Sequence, residues 1–273
     1  MAARFDGRTA LITGASSGVG EAVARRLAEE GARVVLVART AAALDAVAKE
    51  IGDRAIAIPA DVSDLEQLRT LVEQTVRETG GVQILVNNAG YNHRGPVLGA
   101  DPDELARIVD VNLRAPILLT RLLLPQLCEQ PKANIVNVAS IAGQIPLPDE
   151  ATYSATKFGL RGFSMALAEE LRGTSVQVSI VSPGPIDTGF ITRDIENVPD
   201  LVFSQPMSSA DDVASAVLDC ADDGRLERTI PRLSGMLATA GYLVPELPRW
   251  IRPMLESQGR RAKARFLKDR ESG

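Results

Sequence analysis

The spacing with most chemical potential in this chain is YSATK, residues 153–157. Tyr153 and Lys157 stand four positions apart, which on a helix stacks them on one face with Cβ atoms about 5–6 Å apart. A free phenol titrates near ~10, too high for a useful base at neutral pH. A neighbouring ammonium favours the phenolate, and each unit of depression corresponds to roughly 1.4 kcal/mol. A phenol tuned in this way serves as a general acid or base, a role that contributes on the order of 10²–10⁴ in rate. Ser140 lies 13 residues earlier, just beyond the apolar run 134–139. Open α/β sheets present reactive groups at that position, the carboxyl end of a strand.

A second motif, TGASSGVG at 13–20, fits two incompatible chemistries. Gly14-Ala15-Ser16-Ser17-Gly18 satisfies G-x-S-x-G, the elbow that presents a serine nucleophile. Gly14, Gly18 and Gly20 also suit a glycine-rich turn that cradles a dinucleotide pyrophosphate, although the spacing is G-x-x-x-G-x-G. The elbow needs an acid and then a histidine downstream. His93 is the only histidine, it comes early, and the motif follows the first strand, leaving no earlier strand loop to complete an oxyanion hole. The cradle fits its surroundings: a strand at 8–13, a helix at 18–30 and a strand at 33–38 make a unit of about 30 residues. Glycine lets backbone approach phosphate, and the helix N-terminus offers unpaired N–H groups. Ser16 is therefore read as a cradle hydroxyl, and His93 as a surface or pocket-rim residue.

These groups need elements to position them. Apolar runs at 8–13, 33–38, 55–60, 83–88, 134–139 and 176–181 read as strands covered on both faces. Helical patterns alternate with them at 18–30, 41–51, 64–79, 102–130 and 154–172, with Asp64 and Asp101 at helix starts and Gly31, Gly52 and Gly80 after helix ends. The rhythm predicts right-handed βαβ crossovers and an α/β fold: one domain with a doubly wound parallel sheet in three α/β/α layers. Residues 186–208 read as a loop and a candidate lid, followed by a helix at 209–222 and a strand at 228–231. Residues 1–231 would form the dinucleotide-binding and catalytic domain. Residues 232–273 would form an irregular extension that packs on it, because Pro245, Pro248 and Pro253 argue against a continuous amphipathic helix.

Composition excludes several classes of function. The chain of 273 residues is 45% hydrophobic and 24% charged, with a net charge of −5, which argues against nucleic acid as a partner. MAARFDGRTALIT carries no signal-peptide pattern and no run suits a membrane-spanning helix, so a cytoplasmic location is expected. Cys128 and Cys220 read as reduced packing residues, and with one histidine no metal site is expected. In the extension, Leu243, Leu247, Trp250 and Met254 form an apolar stripe ahead of the basic RRAKARFLKDR. Packing over the pocket or against another subunit is the favoured reading; attachment to anionic lipid is the alternative.

TGASSGVG, NNAG (87–90), Asn112, Ser140, YSATK and PGPIDT (183–188), in this order, resemble the short-chain dehydrogenase/reductase family over about residues 5–231. The resemblance implies a Rossmann-type fold and hydride transfer between a nicotinamide cofactor and a carbonyl or secondary alcohol. It implies that Tyr153 is the general acid/base and that Lys157 bonds the nicotinamide ribose and lowers the Tyr153 pKa. It further implies that Ser140 holds the substrate oxygen and that Asn112 places a water linking Lys157 to solvent. Gly14, Ser16, Ser17, Gly18, Val19 and Gly20 would form the cradle, and Asp61 and Val62 would contact adenine. Asn87, Ala89 and Gly90 would bound the pocket; Pro183, Gly184, Ile186 and Thr188 would line its nicotinamide side. A homodimer or homotetramer through 102–130 and 154–172 is implied as well.

Cofactor choice is read from the second strand. An acid at its end would bind the ribose 2′-hydroxyl and select NAD. This chain has Arg39 and Thr40 there, and Arg39 can pair with a 2′-phosphate. NADP(H) is favoured, with NAD(H) possible because the glycine turn itself lacks Lys and Arg. Ile141, Gln144, Ile145, Asn92, Ile186 and 190–203 are expected to wall a partly apolar substrate pocket. A non-catalytic NADP-binding regulatory or scaffold protein is the alternative function.

Overall fold

The computed structural model describes residues 3–192, 195–244 and 246–271. Seven strands form one parallel sheet: β1 (Thr9–Thr13), β2 (Arg33–Ala38), β3 (Ala55–Pro59), β4 (Ile84–Asn87), β5 (Ala133–Val138), β6 (Val176–Pro183) and β7 (Glu227–Ile230). Their order is β3-β2-β1-β4-β5-β6-β7. Leu11 of β1 pairs in register with Val35 of β2 on one side and Leu85 of β4 on the other. The chain winds outward from β1 in one direction and from β4 in the other, so a crevice opens between their carboxyl ends.

Both faces of the sheet are covered, for the reason the continuous apolar runs predicted. Successive strand residues point to opposite faces. Ile12 and Leu36 pack under α1 (Gly18–Glu29), α2 (Ala41–Ile51) and a later helix bearing Val213 and Val217. Leu11 and Val35 pack under α3 (Leu65–Thr79) and helices carrying Leu119, Leu123 and Leu167. Asp64 caps α3, its Oδ1 accepting from the N–H groups of Glu66 at 2.9 Å and Gln67 at 3.2 Å.

The expected single helix at 102–130 is interrupted. It consists of α4 (Pro102–Val109), a π-helical turn at Asp110–Arg114, and α5 (Ala115–Cys128). Such one-turn π segments lodge an extra residue and recur at functional sites; here the turn carries Asn112. Beyond it, α6 (Ala151–Glu170) holds Tyr153 and Lys157. The expected loop at 186–208 contains α7 (Gly189–Thr192) and 3₁₀ turns at Ile195–Asn197 and Asp200–Ser204.

α8 (Ala210–Asp223) leads to β7, and the sequence after β7 is not irregular. It forms α9 (Arg232–Leu243) and the 26-residue α10 (Glu246–Glu271). Pro248 falls in the first turn of α10, where its missing N–H would be unbonded in any case. Pro253 does interrupt the ladder, but tertiary packing outweighs that loss. Lys263 donates to the Val198 and Glu196 carbonyls at 2.8 and 3.1 Å. The Phe266 and Phe203 rings lie 5.8 Å apart, and Arg260 pairs with Asp200 at 3.2 Å. Pro245, the side chain of Leu247 and positions 193–194 lie outside the described residues.

Candidate active site

The crevice is one continuous cleft of about 1410 Å³. Pockets for a single small molecule run about 300–1,000 Å³, so this one has room for a dinucleotide and a second compound. Gly14, Ser16, Ser17, Gly18 and Val19 line its floor where β1 turns into α1. Gly14 and Gly18 have φ of 70° and 60°, a left-handed conformation that side chains disfavour.

Gly20 has a different part from the one expected. It does not line the cleft; a Cβ there would sit 2.2 Å from the Gly14 carbonyl oxygen and 2.6 Å from Asn88 Nδ2. Its missing side chain lets α1 close onto the turn and so shapes the cradle from behind. The β4 loop is tied to the same turn, because Thr13 Oγ1 accepts from the N–H groups of Asn88 and Ala89, both at 3.0 Å.

Asn87 also lies behind the cleft wall. As the last residue of β4 it points into the sheet, its Nδ2 donating to Asn137 Oδ1 at 2.8 Å and Thr120 Oγ1 at 3.3 Å. Strand alternation explains the swap: the next residue, Asn88, faces the cleft instead, beside Ala89 and Gly90. The doubled asparagine in NNAG gave no means of choosing between the two.

At one end of the cleft stand Arg39, Thr40, Asp61 and Val62. Burial raises the Asp61 carboxyl, but bonds from the Ser63 hydroxyl and N–H and the charges of Arg39 and Arg107 outweigh it, holding it below its ordinary value. Arg107 of α4, not anticipated from sequence, lines this end and lies 5.1 Å from the centre of the Tyr91 ring.

At the centre are Ser140, Tyr153 and Lys157, all buried. Ser140 follows β5, and Gly143 lets the following turn press on α6: a Cβ there would meet the Lys157 carbonyl oxygen at 2.6 Å. That close approach sets the Ser140 hydroxyl beside the Tyr153 phenol, where it acts to lower the phenol's pKa. Tyr153 and Lys157 share a helix face, with the Lys157 Nζ 5.6 Å from the phenol ring centre. The Nζ donates to the Val138 carbonyl at 2.9 Å.

The electrostatics reverse one expectation. The Tyr153 phenol is raised, first by burial and then by the Glu150 carboxylate, against the smaller opposing effects of Ser140 and Arg94. Lys157 is itself pushed down to about 8 by burial. A buried ammonium turned to a backbone carbonyl does not overcome the phenol's own desolvation. The result is a phenol that keeps its proton.

Asn112 sits in the π turn. Its Oδ1 accepts from the Tyr91 N–H at 2.8 Å, and its Nδ2 donates to the Tyr91 carbonyl at 2.7 Å and Thr156 Oγ1 at 3.4 Å. Both amide hydrogens are engaged, so the side chain clamps the β4 loop to the π turn.

Pro183, Gly184, Ile186 and Thr188 line the side formed by β6 and its loop. Of the expected substrate wall, Ile141, Ile145, Ile186, Phe190, Leu201 and Val202 are in place. Gln144 is not: its Nε2 donates to Glu227 and Thr229, both at 2.8 Å. Asn92 is likewise absent from the lining, and His93 is exposed. Sequence reasoning missed a buried ion pair beside the phenol, Arg94 Nε to Glu150 Oε1 at 2.9 Å. Arg94 also lies over Phe190, 5.5 Å from its ring centre. The partners are 56 residues apart, and no local pattern joins them. It missed as well the wall supplied by α9 and α10, including Leu237, Tyr242, Met254 and Leu255.

A glycine-rich turn between β1 and α1, opening on the switch point of a doubly wound parallel sheet, defines a dinucleotide-binding α/β protein. Residues 8–198 match the family model for short chain dehydrogenase. The chain is 41% identical over 217 residues to the ketoacyl reductase HetN of Nostoc sp., covering 77% of this chain and 75% of that one. A crystal structure of 3-ketoacyl-(acyl-carrier-protein) reductase from Brucella melitensis complexed with NADH is similar, with a TM-score of 0.77 and 36% identity over 84% of this chain and 99% of that one. A metagenomic short-chain oxidoreductase in complex with NADP has a TM-score of 0.71 and 34% identity over 83% and 98% of the two chains. The chain belongs to the short-chain dehydrogenase/reductase family. It is an oxidoreductase acting on carbonyl or alcohol groups, and its cofactor is a pyridine nucleotide.

Proposed function

We propose that the protein uses NADP(H) and interconverts a ketone and a secondary alcohol on a partly apolar compound, with Tyr153 as the proton donor and acceptor. The observation that carries this reading is the convergence of Ser140, Tyr153 and Lys157 on one point of the cleft with the phenol held protonated. The cradle fits a dinucleotide, since Gly14 and Gly18 adopt left-handed backbone and leave the turn open to phosphate. Gly14, Ser16, Ser17, Gly18 and Val19 would hold the pyrophosphate, Asp61 and Val62 the adenine, and Pro183, Gly184, Ile186 and Thr188 the nicotinamide. When bound, the nicotinamide supplies or accepts the hydride.

The chain's own groups handle the proton. In reduction, the Ser140 hydroxyl and the Tyr153 phenol both donate to the substrate oxygen. As negative charge grows there, Tyr153 Oη releases its proton to it, and preorganised donors in a buried site stabilise that charge strongly. Lys157 beside the ring favours the phenolate left behind, and the same groups run in reverse for oxidation. Arg39 supports the preference for NADP(H): it lines the cleft just after β2, where its guanidinium would pair with a 2′-phosphate. The ketoacyl reductase names of two similar proteins agree with a carbonyl on an apolar chain.

Tyr153→Phe tests the reading. It should leave NADPH binding, followed by fluorescence, unchanged and abolish ketone-dependent NADPH oxidation across a panel of ketones. Retained turnover would overturn it.

A further inference from the structure

α9 is amphipathic with its faces inverted. Small residues face the body: Ser234, Gly235, Ala238 and Gly241 are buried, and a Cβ on Gly235 would meet the Thr229 side chain at 2.8 Å. Large apolar residues face outward, with Leu233 64%, Met236 70% and Leu243 74% exposed. No charged residue lies between Leu233 and Val244. A surface helix ordinarily does the reverse.

α10 extends this face. A Cβ on Gly259 would lie 1.8 Å from the Asp200 carbonyl oxygen, which fixes the side of α10 that faces the body. Trp250 and Met254 lie on the opposite side, 75% and 63% exposed. By helical spacing the same side continues as Arg261 and Arg265, both exposed. Among the described side chains, the outward surface is therefore apolar across α9, Trp250 and Met254, and cationic at Arg261 and Arg265.

Contiguous exposed apolar surface of this kind marks a binding site, and two observations choose its occupant. Leu237, Tyr242 and Met254 are exposed and also line the cleft, so the apolar face runs into the mouth of the active site. A second copy related by a two-fold axis would press this patch on itself, and the patch offers Arg261 and Arg265 no carboxylate, since Leu233, Met236, Leu237, Tyr242, Leu243, Trp250 and Met254 are all uncharged. It would also cap the mouth. An anionic bilayer matches both parts, with side chains such as Leu233 and Met236 at the acyl boundary, Trp250 and Tyr242 at headgroup level, and the arginines on the lipid phosphates.

We propose that α9 and the outward side of α10 form a docking surface for an anionic lipid bilayer, with the cleft opening toward the lipid. Attachment is peripheral, since no helix among the described residues is long and apolar enough to cross a membrane. The proposal rests on the surface alone and holds whatever the cofactor preference or substrate.

The test is flotation of the full chain with vesicles of phosphatidylcholine, with and without phosphatidylglycerol. The wild type should float with the anionic vesicles and lose most binding in pure phosphatidylcholine. Met236→Gln/Leu243→Gln, at positions outside the cleft, should weaken binding at least tenfold while turnover of a water-soluble ketone and the melting temperature stay unchanged. Arg261→Gln/Arg265→Gln should weaken it roughly 25-fold, as each cation near such a surface contributes roughly fivefold. A wild type that never floats overturns the proposal, as does a Met236→Gln/Leu243→Gln variant that floats equally well. A dimer in sedimentation that this variant dissociates, with no flotation of the wild type, would make the face a subunit interface instead.

Discussion

Replacing Lys157 by methionine should make the protein more stable and inactive. Burial brings the ammonium from its ordinary 10.5 down to about 8, a difference of about 2.5 units. At ~1.36 kcal/mol per unit, holding the charge inside the fold costs roughly 3.4 kcal/mol at neutral pH. Methionine keeps the stem's apolar contacts and removes that cost, but it gives up the bond to the Val138 carbonyl, about 1.5–3 kcal/mol for a bond to a charged group. The net gain is about 0.5–2 kcal/mol, or roughly 1–8 °C in melting temperature for a chain of this size. The gain must also depend on pH. Between about 8 and 10.5 the unfolded chain holds this proton and the folded chain has released it. Wild-type stability therefore rises with pH through that window, and the variant's advantage shrinks toward its upper end. Denaturant melts of both proteins at pH 7 and pH 10, with NADPH oxidation measured alongside, check the reasoning. A variant less stable than wild type, or an advantage equal at both pH values, would refute the burial argument.

Arg39→Asp should raise the KM for NADPH by roughly 10- to 150-fold, the worth of about 1.5–3 kcal/mol for a bond to a charged group, with little change for NADH. If both constants move together, Arg39 does not read the 2′-phosphate. Gly20→Ala places a Cβ 2.2 Å from the Gly14 carbonyl, so it should cost about 1–3 kcal/mol of stability and weaken dinucleotide binding measured by fluorescence titration. An unchanged Kd would remove Gly20 from the shaping of the cradle. Glu150→Gln strands Arg94 without its buried partner, a loss of about 3–5 kcal/mol, and takes away a charge that raises the Tyr153 phenol. An ultraviolet difference titration should show that phenol ionising at lower pH than in wild type; an unmoved titration would contradict the assigned cause.

How legible the molecule was in its sequence depended on the range of the interaction involved. The strands β1 to β6 could be read because a strand buried on both faces is apolar along its whole length, a pattern confined to a few residues. Asp64 and the glycines after helix ends could be read because a cap acts within one turn. The meeting of Tyr153 with Lys157 needed only helical periodicity. α9 and α10 could not be read this way. The glycines of α9 and the prolines of the polar α10 make poor helices in isolation, and in α10 Gly259, Lys263 and Phe266 become helix-stabilising only against residues 195–204. The interruption of 102–130 by a π turn was hidden for a similar reason, since Asn112 holds it through a loop some 20 residues away.

The sequence by itself determined the sheet, the glycine turn and the identities of the serine, tyrosine and lysine, because each is written in spacing along one element. The tertiary structure alone decided which way the phenol titrates. That outcome depends on how deeply two side chains are buried and on Glu150 and Arg94, whose pairing joins distant segments. It also decided that Asn88 rather than Asn87 faces the cleft, and that the last 40 or so residues wall the active site while turning their large apolar side chains outward. Burial and long-range electrostatics are sums over neighbours in space, and adjacency along a chain does not contain them.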